Sequence, residues 1–238
     1  MKELGCIPFC LTNVPQTMKS FSCSNPIYGS TSNPHDKNRS PGGSSGGEAC
    51  LIAKKGSILG LGTDVGGSLR TPSHFCGVVG MKPTTGRIYQ QGRRSGAPVS
   101  NSHVPSRFFD LELTTFQGEL IGLHSNAGFM SRRVEGVAKG FELLLKDPQL
   151  MAKRDHKVIP IPWDKELATT EKKLKIGWYV DDPFVPVTPG VKRAVREAGD
   201  LLKSAGHTLV PFTIKKLERL YEIYFDHMLC ENGTSLFS

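Results

Sequence analysis

The sequence has 238 residues, which is enough for one sizeable domain or two small ones. Its composition, 38% hydrophobic and 22% charged, is that of a folded chain, and no apolar run reaches the roughly 18 residues that a membrane-spanning helix needs. The net charge is +8, but the basic residues stand singly or in pairs among acids, which argues against a nucleic-acid partner. Glycine is enriched, at 26 residues, and clusters in two places.

The cysteines and the N-terminal residues point to an intracellular protein. Six cysteines are too few for a disulfide scaffold in a chain of this length, and none stands in a metal-binding spacing. We therefore expect reduced thiols and no metal. The first residues, MKEL, lead directly into mixed sequence, so no signal peptide is expected.

The first half of the chain is predicted to form short elements separated by glycine-rich loops. A short apolar strand is expected at residues 6–11 and a helix at residues 48–55. A buried strand is expected at residues 57–61, and a short helical piece begins at residues 68–70. The first glycine loop covers residues 42–47 and the second glycine loop covers residues 62–68.

The second half has conventional periodicity and predicts an α/β protein. A helix is expected at residues 134–145, followed by a strand at 174–180 and a returning strand at 207–212. Between these strands, Thr188 and Pro189 begin a helix that Gly206 ends. That helix is predicted to bury Val191, Ala194, Val195, Ala198, Leu201 and Leu202.

The two glycine loops have the composition of an anion-binding site. Successive backbone N–H groups in such loops can stabilise the oxyanion of an acyl-transfer reaction, and serines within them are candidate nucleophiles. Residues 43–47 formally match the G-x-S-x-G nucleophile elbow, but no strand precedes them. The loop after residue 60 begins like a dinucleotide-binding fingerprint, but Val65 occupies the place of its third glycine. A phosphate-binding P-loop motif is absent from the sequence.

A longer pattern accounts for both loops together. Residues 41–83 resemble the amidase signature, and residues 12–26 and 205–212 are similar to its fatty-acid amide hydrolase branch. This resemblance covers residues 1–98 and 121–238. It implies an α/β fold with a mixed sheet flanked by helices, present here as one partial amidase domain over residues 1–238. Within it we expect a catalytic core at about 12–98, a candidate insertion at 104–119 and a βαβ segment at 174–213.

The resemblance also implies a role for each residue of the loops. Ser68 matches the nucleophile, and Ser44 matches a bridging serine that follows a cis peptide bond and relays a proton. Ser45 is expected to be structural. The matching oxyanion hole consists of the backbone N–H groups of Val65, Gly66, Gly67 and Ser68. Residues expected to support the second loop are Thr63, Asp64 and Arg70, and those expected to line the acyl-chain channel are Met18 and Phe21.

One part of the family pattern has no match. The family's general base is a lysine about seventy-five residues before the bridging serine, whereas 43 residues precede Ser44 here. Lys2 resembles the local pattern, but the residues after it match a later strand. We therefore expect little activity from this chain, and an alternative is a non-catalytic truncated form that binds lipid amides or a full-length partner subunit.

The resemblance further suggests partners and a location. The expected partner is a small lipid amide, and no cofactor is implied. A membrane surface is a candidate partner of the full-length protein, and a homodimer is a candidate assembly. The protein is expected to be membrane-associated when full-length and cytoplasmic otherwise.

Overall fold

The computed structural model describes residues 1, 4–88, 125–155 and 158–229. The candidate insertion at 104–119 lies outside the described residues. The chain divides into two compact units, one reaching to Trp163 and one beginning at Asp164. The predicted βαβ segment falls in the second unit.

The first unit is built around a small three-stranded sheet with helices packed on both faces. Its helices and strands, in chain order, are β1 (Ser24–Asn25), β2 (Gly29–Ser30), α1 (Gly46–Ala53), β3 (Gly60–Asp64), α2 (Arg70–Cys76), β4 (Val79–Met81), β5 (Asn126–Ser131), α3 (Val134–Leu144) and α4 (Pro148–Arg154). The main sheet has the order β3-β5-β4, and both pairings are antiparallel. Strands β1 and β2 form a separate antiparallel pair.

The central strand β5 contributes to a hydrophobic core on each face of the sheet. Phe129 and Met130 are fully buried and, as neighbours in a strand, point to opposite faces. Phe129 packs edge-on against Phe141 of α3, with ring centroids 5.0 Å apart. Met130 packs on the other side in a cluster with Ala49 and Ile52 of α1, Cys76 of α2 and Leu69, which directly precedes α2.

The structure changes three of the expectations for this unit. Residues 6–11 form no strand, and the alternate side chains Ile7, Phe9 and Leu11 are exposed. A strand needs a neighbouring backbone to pair with, and no described segment pairs with this one. The strand expected at 57–61 begins instead at Gly60 and continues through Asp64, so it includes the start of the second glycine loop. Strand β5 was not predicted at all.

The second unit contains the predicted parallel strand–helix–strand arrangement. Its elements are α5 (Lys165–Ala168), β6 (Lys175–Trp178), α6 (Pro189–Ser204), β7 (Thr208–Pro211) and α7 (Leu217–Leu229). Strands β6 and β7 pair in parallel, from Lys175 opposite Thr208 to Trp178 opposite Pro211. Helix α6 begins with Pro189 after Thr188, and Gly206 takes the left-handed φ of +86° just past its end. The boundaries predicted for α6 are confirmed.

The burial predicted for α6 is wrong. Among its described residues only Gly199 is buried, where it packs closely against the Trp178 ring. The predicted core residues are half-buried (Val191, Val195 and Leu202) or exposed (Ala194, Ala198 and Leu201). A sheet of two strands is too narrow to cover the apolar stripe of a sixteen-residue helix.

None of the described helices combines the length and the apolar character required to cross a membrane.

The packing of Phe129 leads to a stability prediction. Replacing Phe129 by Ala should lower the free energy of unfolding by about 3–5 kcal/mol, because it removes a fully buried ring between the sheet and α3. The matched control is Phe9→Ala in the same unit, where the ring is 64% exposed and the change should be within about 0.5 kcal/mol. Urea unfolding followed by circular dichroism measures both, and equal losses would contradict this packing.

Candidate active site

The two glycine loops meet through one backbone hydrogen bond. The N–H of Ser45 donates to the carbonyl oxygen of Ser68 at 2.9 Å. The Ser45 hydroxyl also accepts a hydrogen bond from the N–H of Thr63 at 3.2 Å and lies 3.5 Å from the Thr63 carbonyl oxygen. Ser45 therefore connects the first glycine loop to both β3 and the second glycine loop. These contacts fit the structural role expected of it.

Ser44 is a buried hydroxyl that the described residues leave unpaired. Its side chain belongs to a residue only 3% exposed, and the bond between Gly43 and Ser44 is cis, as the resemblance implied. No hydrogen-bond partner for its hydroxyl is present within the described ranges. Burying a hydroxyl without a partner costs on the order of 1–3 kcal/mol. The position is thus suited to a hydroxyl that bonds a substrate or another catalytic group.

The carboxylate of Asp64 organises the second glycine loop. It is fully buried at the end of β3 and accepts hydrogen bonds from the backbone N–H groups of Gly67 at 2.7 Å, Leu69 at 3.2 Å and Arg70 at 3.2 Å. The Arg70 guanidinium adds two contacts, each 2.9 Å, one to each carboxylate oxygen. The loop from β3 to α2 is therefore folded around one anion.

The electrostatics of Asp64 follow from these contacts. Burial raises the pKa of the Asp64 carboxyl, but the hydrogen bonds from Arg70 and from the backbone N–H groups outweigh burial and hold that pKa below its ordinary value of 3.8. Asp64 is accordingly ionised at neutral pH. Its negative charge is satisfied within the loop, which fits a supporting role better than an acid–base role.

The same contacts separate the N–H groups of the second glycine loop that have an acceptor from those that do not. The Gly67 N–H is engaged by Asp64, so it differs from the expectation that all four groups serve an oxyanion. For the N–H groups of Val65, Gly66 and Ser68 no acceptor is found within the part of the chain that the structure describes. Gly67 has a φ of +122°, and an added Cβ would lie 2.8 Å from Thr71 Oγ1, so the turn requires glycine.

The segment that carries Met18 and Phe21 packs against these loops. An added Cβ at Gly43 would collide with the carbonyl oxygens of Ser20 and Ser22, so only glycine fits beside this segment. The Phe21 ring approaches within 3.7 Å of the Cβ position at Gly67, and the residue is 63% exposed. Met18 ends the short 3-10 helix Gln16–Met18 and is half-buried. Phe21 thus provides an apolar surface next to the second glycine loop.

Sequence reasoning missed the contribution of residues 20–22. Ser20 and Ser22 confine Gly43 through their carbonyl oxygens, and backbone contacts leave no signal in the residue type. Thr63 was expected to support the loop, and it does so through its backbone atoms against Ser45. Within the described ranges, no group of three or more His, Cys, Asp or Glu residues could hold a metal ion.

Nearly the whole chain matches the model of one protein family. The model of the Amidase family matches residues 1–237. The chain belongs to the amidase family. Members of this family are amide hydrolases, and the two serine-bearing loops described above lie within the matched region.

Similar proteins and structures agree with this assignment. The chain is 38% identical over 232 residues to Fatty acid amide hydrolase 1 of Caenorhabditis elegans. The aligned region covers 98% of this chain and 37% of the relative. It is 40% identical to Vitamin D3 hydroxylase-associated protein of Gallus gallus, over 99% of this chain and 46% of the relative. A solved structure of fatty acid amide hydrolase superposes with a TM-score of 0.75 at 25% identity, over 94% of this chain and 36% of that one. The chain thus spans less than half the length of these relatives.

The Asp64 network leads to a prediction about stability and pH. Asp64→Asn should lower the free energy of unfolding near pH 7 by about 3 kcal/mol, because the buried carboxylate loses its charge and one acceptor oxygen. This loss is at the low end of the range for a buried ion pair because the Arg70 side chain is 56% exposed. The pKa of Asp64 in the folded protein lies below its ordinary value of 3.8. The stabilisation is therefore fully present above pH 3.8 and is lost as the pH falls through the folded pKa. The gap between wild type and Asp64→Asn should therefore narrow in acid.

Asp36→Asn provides the matched control for this prediction. Asp36 also pairs with an arginine, Arg39 at 3.1 Å, but both side chains are solvent-exposed. An exposed pair contributes little, so Asp36→Asn should cost less than about 1 kcal/mol. Urea unfolding over a pH series measures all three proteins. A wild-type-to-Asp64→Asn gap that does not change on acidification would contradict the pKa assigned to Asp64.

Proposed function

We propose that the protein represented by this chain is a serine-type amide hydrolase that acts on fatty-acid amides through an acyl-enzyme on Ser68. The observation that carries this proposal is the hydrogen bond from the Ser45 N–H to the Ser68 carbonyl oxygen. It joins the two glycine loops, so that the buried Ser44 hydroxyl and Ser68 belong to one site.

The reaction follows from the groups at this site. The Ser68 hydroxyl oxygen attacks the amide carbonyl carbon, and its proton passes to the Ser44 oxygen as the Ser44 proton moves to a basic group. The oxyanion of the tetrahedral intermediate accepts hydrogen bonds from the N–H groups of Val65, Gly66 and Ser68. Collapse of the intermediate breaks the C–N bond, Ser44 donates its proton to the leaving amine, and the basic group returns a proton to Ser44. Water then hydrolyses the ester on Ser68 and releases the fatty acid.

The basic group is the remaining requirement of this reaction. The amidase pattern supplies a lysine, which must be desolvated enough to be neutral when it accepts the proton. No described Lys or His side chain hydrogen-bonds the Ser44 or Ser68 hydroxyl. Losing one member of such a triad lowers the rate by about 10⁴–10⁶ in serine proteases, so the proposed turnover depends on the group that takes this role.

The substrate class rests on two supports. Relatives such as the one from Caenorhabditis elegans are named fatty acid amide hydrolases. The exposed Phe21 ring beside Gly67 offers an apolar surface for an acyl chain that extends away from Ser68. Both favour an amide with an apolar acyl group.

A second candidate function is binding without catalysis. It is favoured by the Ser44 hydroxyl, which has neither a basic partner nor any other hydrogen-bond partner within the described ranges. In this case the chain would bind lipid amides, or a full-length partner subunit, without hydrolysing them.

A covalent probe distinguishes the two candidates. Incubation of the full chain with a fluorophosphonate followed by intact mass measurement should show one adduct, on Ser68. The adduct should disappear in Ser68→Ala and form more slowly in Ser44→Ala, which loses the proton relay. Ser45→Ala is the matched control and should still be labelled, because its backbone N–H can still bond the Ser68 carbonyl.

Two results would contradict the hydrolase proposal. Labelling that survives Ser68→Ala and is lost in Ser45→Ala would place the nucleophile in the first glycine loop. No labelling of the folded chain, together with saturable binding of a fluorescent fatty-acid amide, would establish the binding function instead.

A further inference from the structure

Two cysteines lie together behind the serine loops. Cys50 belongs to α1, which begins just after Ser44 and Ser45, and Cys76 is the last residue of α2, which begins two residues after Ser68. Their sulfur atoms are 4.0 Å apart, within hydrogen-bond distance for thiols. The two helices that follow the two serine loops therefore contact each other through a pair of thiols.

The two thiols differ in their surroundings. Cys50 is half-exposed, and its Sγ lies 3.3 Å from the Ser32 carbonyl oxygen. Cys76 is 1% exposed, and its Sγ lies 3.3 Å from the Pro41 carbonyl oxygen. A reagent from solvent can therefore reach Cys50 before Cys76.

The thiols also differ in acidity. The hydrogen bond with Cys76 lowers the pKa of the Cys50 thiol, aided by the charge of Lys54 and opposed by burial. The hydrogen bond with Cys50 and burial raise the pKa of the Cys76 thiol. Cys50 is thus the more acidic of the two thiols and the better nucleophile toward a peroxide.

We propose that Cys50 and Cys76 form a reversible disulfide between α1 and α2 when the protein meets a peroxide. The Cys50 thiolate attacks one oxygen of hydrogen peroxide, forming a sulfenic acid and releasing hydroxide, which takes up a proton to become water. The Cys76 sulfur then attacks the Cys50 sulfur, the S–OH bond breaks, and the second water leaves with the Cys76 proton. Two thiols are oxidised, and one peroxide is reduced to two waters.

The sulfur–sulfur distance is the geometric basis of this proposal. A disulfide has a sulfur–sulfur distance of about 2.05 Å, so the two sulfur atoms, 4.0 Å apart in the reduced protein, must approach by about 2 Å. The third nearby thiol, Cys23, is 1% exposed and its Sγ lies 3.1 Å from the Asn13 carbonyl oxygen. Cys23 is therefore the competing partner to exclude.

The disulfide would act on the candidate active site in two ways. Its formation removes the S–H group that Cys76 can donate to the carbonyl oxygen of Pro41, which directly precedes the first glycine loop. It also closes a covalent loop between residues 26 positions apart, and this loop contains β3 and the whole second glycine loop. Oxidation would therefore restrain the segment that carries Ser68 while removing a contact at the segment that carries Ser44.

Peptide mapping tests the proposal on the full chain. Reduced protein is treated with hydrogen peroxide, alkylated after unfolding, digested and analysed by mass spectrometry. We expect the peptides of Cys50 and Cys76 to appear as one linked species, lighter than the two free peptides by two hydrogen atoms, and to separate on treatment with dithiothreitol. In Cys50→Ser, Cys76 should remain an alkylatable thiol after the same treatment.

Cys10→Ser is the control for an unrelated exposed thiol and should leave the linked species unchanged. The proposal is overturned if Cys50 ends as a sulfinic acid with Cys76 free, or if either cysteine links instead to Cys23 or Cys10. The cross-link should also raise the thermal midpoint of the wild type by about 5 °C or more over its reduced form, with no rise in Cys50→Ser. No rise in the linked protein would contradict a cross-link compatible with the native fold. Neither the linked peptide nor the thermal midpoint depends on hydrolysis, so both test the disulfide independently of the proposed activity.

Discussion

The ionised carboxylate of Asp64 is the constraint on which the rest of the candidate site depends. It gathers three backbone N–H groups and the Arg70 guanidinium around one buried anion, and so fixes the turn from β3 into α2. This turn places the Ser68 carbonyl where the Ser45 N–H can reach it. It also uses the N–H of Gly67. The neighbouring N–H groups of Val65, Gly66 and Ser68 have no acceptor among the described residues, which is why we propose them as donors to a substrate oxyanion.

The site is built mainly from backbone atoms, and this explains its need for glycine. Gly43 is enclosed by two carbonyl oxygens of the preceding segment, and Gly67 adopts a backbone conformation that other residues avoid. At these two positions, therefore, close packing and backbone conformation require glycine. Residues 41–47 are all buried, which excludes a flexible linker at the first glycine loop.

Local patterns predicted much of the fold, and long-range pairing accounts for what they missed. Helices α1, α3 and α6 and the parallel strands β6 and β7 carry their signals in their own periodicity and end residues. Strand β5 forms because its backbone pairs with β3 and β4, which are far away in the sequence. Its own residues give a weak strand signal, since two of the first three are small. The misplaced strand at 6–11 and the exposed face of α6 have the converse cause, since apolar side chains become buried only where another element covers them. The roles of Ser44 and Ser68 came from resemblance, and the hydrogen bond that joins their loops could not be read from residue types.

We propose that Ser68 and the N–H groups beside it form an oxyanion site supported by Asp64. A crystal structure of the fluorophosphonate adduct tests this most directly. We predict that the phosphorus is bonded to Ser68 Oγ and that its free oxygen lies about 2.7–3.1 Å from the N–H groups of Val65, Gly66 or Ser68. The Gly67 N–H should remain bonded to Asp64. An adduct on another serine, or a phosphoryl oxygen pointing away from these N–H groups, would contradict the proposed oxyanion site.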